Sequence, residues 1–135
     1  MAAVVVDSSV AASWLLPDEA REPSQELAAL IASSGAIAPS LLIYEVRNLL
    51  ITAVRRQRLS VQLAHSLIDD FRNLPIELVE LSSDSEIIEL GIKHSLSGYD
   101  ATFLALAMQA KLPLATYDRK LKAAAVSEGI ELIAD

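Results

Sequence analysis

The 135-residue sequence contains no cysteine, which excludes disulfides and thiolate metal sites and fits a reducing compartment. Histidine is nearly absent as well. His65 and His94 are the only two, too few for a multi-histidine metal site, and both read as ordinary helix residues. No apolar run approaches the roughly 20 residues of a membrane span. Met1 leads into AAVVVD without a basic leader, so a signal peptide is not expected, and the expected setting is a soluble protein of the cytoplasm. Basic residues are also in deficit, 11 against 18 acidic, for a net charge of −7. That balance speaks against a general nucleic-acid binder, because phosphate contacts need Lys and Arg. The argument weakens if some of the acids are neutralised by bound metal, since local fields then dominate.

What the chain does contain is apolar. Hydrophobic residues make up 53% of it, enough for one domain over residues 1–135 with a real core. No repeat, low-complexity stretch or linker divides it. Val4–Val6 ends a β-branched run suited to a buried parallel strand. Asp7 follows it, and Ser8 or Ser9 can cap a helix to about Leu16, where Pro17 stops it. A second helix is expected from Arg21 to Ala32, then a strand at Ala36–Ala38. Pro39-Ser40 opens a long helix to Arg56, and Ser60 caps another to Arg72. Ile76–Leu81 alternates as a strand, Asp84–His94 is helical, and Ser97-Gly98 breaks the chain. Asp100 starts an apolar helix to Ala110. Leu112–Thr116 is a strand, Arg119–Ser127 a helix and Ile130–Ile133 a final strand. Strands alternating with helices imply an α/β fold around a largely parallel, five-stranded sheet.

In such a sheet, ligands sit beyond the carboxyl ends of the strands. Asp7 directly follows the first strand, and Asp118 lies two residues after Thr116 at the end of another. Asp100 stands at a helix start, which can open toward the same edge. Glu45 differs, because it lies inside a helix with Leu41, Leu42 and Leu49 at neighbouring spacing. A carboxylate there costs desolvation unless it is paired or metal-bound, and Asn48, one turn on, is placed to hold it. Each aspartate alone is equally a cap or turn residue. Together the four would repel one another and raise some pKa values unless a cation were present. Oxygen ligands without His or Cys suit Mg²⁺ or Mn²⁺, ions that support phosphodiester hydrolysis.

Four segments carry a resemblance: VVVDSSV at 4–10, PSLLIYEVRNLL at 39–50, SGYDATFLALA at 97–107 and LATYDRKL at 114–121. In this order and spacing the chain resembles the PIN-domain family, and within it the VapC-like toxins of toxin–antitoxin pairs. The resemblance implies a three-layer α/β/α sandwich and a Mg²⁺- or Mn²⁺-dependent endoribonuclease that inhibits growth by cutting RNA (tRNA, rRNA or mRNA). It also implies a cognate antitoxin and a homodimer. Asp7, Glu45, Asp100 and Asp118 match the family's acidic quartet, which carries both metal and catalysis. Ser9, Asn48 and Thr116 match its polar supports.

Arg119 and Lys120, beside Asp118, are candidates for phosphate contacts, with a solvated face as the plain alternative. Tyr44, Tyr99 and Tyr117 each precede one of the four acids and are either base-stacking rings or wall residues. Trp14, Val10, Leu15 and Leu16, with Leu27, Leu30 and Ile31, read as core, with a groove for an antitoxin segment or a dimer contact as the other use of that surface. Three rival functions remain. A receiver-type signalling domain would want paired acids after the first strand. An inactive PIN-like binding module would not need the quartet. A structure-specific DNA nuclease would want an added helical arch.

Overall fold

The three valines of β1 (Val4–Val6) are fully buried, as a central parallel strand covered on both faces requires. In the computed structural model that contains them, residues 2–19 and 22–133 are described, with the side chains of 22–24 excepted. β1 pairs with β2 (Ala36–Pro39) on one side and β4 (Leu114–Ala115) on the other. β3 (Ile76–Val79) extends the sheet beyond β2, and β5 (Leu132–Ile133) extends it beyond β4. All four pairings are parallel, in the order β3-β2-β1-β4-β5. The sequence therefore builds outward from β1 in one direction, then returns to add β4 and β5 on its other edge. The reversal falls between β1 and β4, the kind of switch point where open α/β sheets bind ligands. Receiver-type domains use the flavodoxin-like order 2-1-3-4-5, so the topology removes that rival.

Among the described residues seven α-helices flank the sheet. These are α1 (Ser8–Leu15), α2 (Glu22–Ser34), α3 (Leu41–Arg55), α4 (Val61–Asn73), α5 (Asp84–His94), α6 (Gly98–Ala110) and α7 (Arg119–Ser127). α6 is apolar nearly all round, and Ala101, Phe103, Leu104, Ala105, Leu106 and Ala107 are all buried, the pattern of a helix enclosed by its neighbours. It packs on β1 and β2, which brings its N-terminus to the β1 end of the sheet. α3 shows the commoner pattern, burying Leu42, Ile43, Val46, Leu50 and Ala53 on one face. It packs against α1.

Several boundaries differ from the sequence expectation, each for a local reason. Asp7 itself caps α1, accepting from the Val10 amide at 3.1 Å, where Ser8 or Ser9 was expected. The expected start of α2 at Arg21 lies outside the described residues. The helix continues past Ala32 to Ser34, because Gly35 supplies the left-handed stop at φ +80°. A 3₁₀ turn at Pro17–Glu19 was not foreseen. It presents Asp18 to Arg58, whose guanidinium makes two bonds of 3.0 and 2.6 Å to the carboxylate. Ser40 does not cap α3. Its hydroxyl donates to Glu80 instead. β4 begins only at Leu114, since Lys111 turns left-handed at φ 56° to end α6. Ser60 caps α4 as expected, its hydroxyl accepting from Leu63 at 3.0 Å.

The apolar residues of the first two helices belong to the interior. Val10, Leu15, Leu16, Leu27 and Ile31 are buried, and Trp14 and Leu30 pack against them. An apolar groove of about 470 Å³ lies elsewhere, between α3 and α4, with Leu50, Ile51, Val54 and Ile68 among its walls and Arg47 and His65 at its sides. No helix among the described residues is long and apolar enough to cross a membrane.

Candidate active site

Asp7 leaves the end of β1 and is buried at 3% exposure; among the described residues it is the only ionisable group so enclosed. Its carboxylate is held by three donors. The Ser9 hydroxyl gives one bond to Oδ1 at 2.7 Å and the Val10 amide another at 3.1 Å. The Thr116 hydroxyl donates to Oδ2 from across the β1–β4 junction. Proton counting fixes the direction of this network. Each hydroxyl has one proton, given to Asp7, so each hydroxyl oxygen must accept from elsewhere. Ser9 Oγ accepts from the Tyr117 amide at 2.9 Å, and Thr116 Oγ1 accepts from the Asp118 amide at 3.0 Å. Both spent protons leave the 3.4 Å approach of the two hydroxyl oxygens a contact rather than a bond. The backbone after β4 thus feeds hydrogen bonds through Ser9 and Thr116 into one carboxylate.

Asp118 uses one oxygen to cap α7, accepting from Leu121 at 2.9 Å, which leaves its other oxygen outside the cap. Asp100 behaves differently from expectation. α6 starts at Gly98, and Ser97 is the cap, its hydroxyl accepting from the Asp100 amide at 3.1 Å. Asp100 sits in the first turn with its carboxylate released from capping. An S-x-x-D spacing is a helix-start signature, so Ser97 was readable in the sequence and was passed over there as a breaker.

Glu45 is half-buried on α3, and its Oε1 has no hydrogen-bond partner among the described residues. Asn48 is exposed and does not supply one. The nearby hydroxyl of Ser8 lowers the glutamate's pKa and only partly offsets its burial. Burial first, then the charges of Asp100 and Asp7, push the Glu45 carboxyl up to about 7. Burial also raises Asp7, with a smaller push from Asp100, against the opposing bonds from Thr116, Ser9 and Val10. Asp100 is raised by burial and by Asp118, with Ser97 opposing. These mutual effects place the four acids around one spot at the β1–β4 switch point. They come from the end of β1, from α3, from the first turn of α6 and from the start of α7.

Among the described residues no three acids or imidazoles converge into a ready-made metal cage. The acids stand as neighbours of like charge, Asp7 and Glu45 raised in part by Asp100, and Asp100 in part by Asp118. Their chemistry nonetheless fits a hard divalent cation. Every donor is a carboxylate oxygen, and a buried Glu45 oxygen lacks any other partner, which is costly unless something electropositive meets it. The α3–α4 groove contains none of these acids and is not this centre.

Arg119 and Lys120 are exposed beside Asp118, with Lys120 Nζ 3.3 Å from the Ser95 carbonyl. His94, read from the sequence as an ordinary helix residue, contacts Glu128 at 2.7 Å, and Lys93 joins the same carboxylate at 2.8 Å. This trio ties α5 to α7 and lies apart from the acids in the hydrogen-bond network.

Comparison with known proteins bears on the family and the fold. Residues 4–127 match the family model of the PIN domain. The chain is 29% identical to Ribonuclease VapC3 of Pyrobaculum aerophilum over 122 residues, covering 87% of this chain and 91% of that protein. Its fold is similar to FitAcB from Neisseria gonorrhoeae, with TM-score 0.68, 17% identity and 96% of both chains covered. It is also similar to PAE2754 from Pyrobaculum aerophilum, with TM-score 0.66, 19% identity and coverage of 91% of this chain and 84% of that one. With its fold, switch-point acids and nearly full-length match, the chain belongs to the PIN-domain family.

Proposed function

We propose that this protein is an endoribonuclease, the toxin of a toxin–antitoxin pair, hydrolysing RNA phosphodiester bonds with the aid of Mg²⁺ or Mn²⁺. The observation that carries the reading is the buried, unbonded Glu45 oxygen set among three further carboxylates at the sheet's switch point. Likeness to a ribonuclease over most of the chain supports the substrate class.

Asp7, Asp100 and Asp118 would hold the cation, with Glu45 completing the set. When bound, the cation offsets the charge of the acids, polarises a phosphoryl oxygen and lowers the pKa of water. The protein's own groups supply positioning. Ser9, Thr116 and the Val10 amide fix Asp7 in one orientation, as partners behind a metal ligand do. Ser97 takes over the capping of α6, so the Asp100 carboxylate remains available. Glu45 Oε1, with no competing donor among the described residues, is placed to accept a proton from an approaching water. Arg119 and Lys120, exposed at the start of α7, are placed to meet phosphate.

The same reading assigns a cytoplasmic location, a homodimer and an antitoxin partner that silences the site. The test is cleavage of RNA by the purified chain with and without Mg²⁺ or Mn²⁺. Asp7→Asn and Asp100→Asn are expected to abolish metal-dependent cleavage in folded protein. Undiminished cleavage by either variant would sink the assignment. An inactive binding module would bind no metal and cut no RNA in the wild type.

A further inference from the structure

Tyr44 is 66% exposed, although it adjoins the half-buried Glu45. The Arg47 guanidinium lies over its ring, 5.3 Å from the centroid. Arg47 is itself exposed and forms no ion pair among the described residues. A cation resting on an open aromatic ring, with no acid to hold it, is a prepared flat surface.

The helix carries this surface to the acids. At about 100° per residue, Arg47, Tyr44, Asn48 and Glu45 follow one another around α3 across an arc of roughly 160°. The arc begins at an exposed cation, passes an exposed ring and an exposed amide, and ends at the carboxylate centre. Charge explains why such a surface is needed. At −7, with four acids in the centre, the chain has few cations to hold a phosphate backbone. Stacking binds a base without any charge, at about 1–3 kcal/mol per base by alanine substitution.

We propose that Tyr44 and Arg47 form a stacking platform for an unpaired RNA base adjoining the cleaved phosphate. The substrate class rests on the nuclease reading above. Arg47 takes one face of the ring and leaves the other for a base. A paired base already has both faces stacked, so the platform selects single-stranded or splayed nucleotides. Asn48, exposed beside the ring, is positioned to touch the edge of that base.

Two measurements test this separately from catalysis. In the first, a short unstructured oligoribonucleotide carrying 2-aminopurine is titrated with the full chain, with Ca²⁺ replacing Mg²⁺. Wild type and Tyr44→Phe are expected to quench the probe by stacking, and Tyr44→Ala is expected not to. No quenching by wild type, or equal quenching by Tyr44→Ala, overturns the platform. In the second, steady-state cleavage of an unstructured oligoribonucleotide with Mn²⁺ is expected to show KM raised roughly 5- to 150-fold in Tyr44→Ala. kcat should stay unchanged, and Tyr44→Phe should match wild type. Cleavage with an unchanged KM in Tyr44→Ala refutes the platform and leaves the nuclease reading intact. Quenching that depends on Tyr44, without wild-type cleavage, supports the platform and removes the nuclease reading.

Discussion

Thr116 shows how one hydroxyl serves two residues. It is fully buried, donates to Asp7 and accepts from the Asp118 amide. Thr116→Val keeps the shape but removes both roles. Mg²⁺ or Mn²⁺ affinity, followed by calorimetry, is expected to fall about 10- to 100-fold, as for partners behind other metal ligands. Glu45 makes a second prediction, about acid. Its carboxyl is near 7 in the fold and 4.5 when free. Between those values the native state keeps a proton that the unfolded state has released. Metal-free protein should therefore be most stable below about 4.5 as far as this group is concerned, and lose that contribution as pH rises to 7. Chemical denaturation of wild type and Glu45→Gln across this window checks the sign, since Gln should remove the share of the slope that Glu45 contributes and leave that of the raised Asp7 and Asp100. Glu128 acts oppositely. Lys93 and His94 hold it below its free value, so its stabilisation is present above 4.5 and fades as pH falls further.

At the scale of the helices, the aspartates divide by their backbone duties. Asp118 caps α7, and Asp100 caps nothing. Asp118→Ala should cost about 1 kcal/mol of stability and Asp118→Asn little, because Asn also caps well. Asp100→Ala should leave the capping of α6 in place, whereas Ser97→Ala should cost about 1 kcal/mol. Urea unfolding of the four variants separates these outcomes. The same contrast shows what the sequence made legible. The three aspartates stood out because β-branched runs and helix periodicity place them at element ends, Glu45 because it lies inside an apolar helix, and Ser9 and Thr116 through the family resemblance. Which of them caps a helix was not legible, because Ser and Asp compete for that place and only the backbone path decides. Asn48 at the right spacing from Glu45 did not become its partner, while Ser8, in a different element, is the residue whose hydroxyl lowers its pKa. Spacing along one helix predicts neighbours within it but not the closer neighbour that packing brings. The short β4 and β5 were likewise foreseen in place but not in extent, since a left-handed Lys111 delays β4.

For the whole molecule, the switch point between β1 and β4 makes the centre a meeting of distant segments. A cation that binds there favours the ionised acids, so it must displace the proton that Glu45 keeps near neutrality. The rise in Tm caused by a fixed concentration of Mg²⁺ or Mn²⁺ should therefore be larger at pH 8 than at pH 6. Asp7→Asn should reduce it at both, as differential scanning fluorimetry can show. The sheet order has a further consequence in time. Asp7 precedes its partner Thr116 by 109 positions. A chain emerging from the ribosome can build β1, β2 and β3 and still lack the far side of the centre. Domains assemble from the N-terminus during synthesis, so the strand that brings Thr116 and Asp118 arrives after β1, β2 and β3 are made. Synthesis must therefore run through α6 and β4 before the four acids can be brought together.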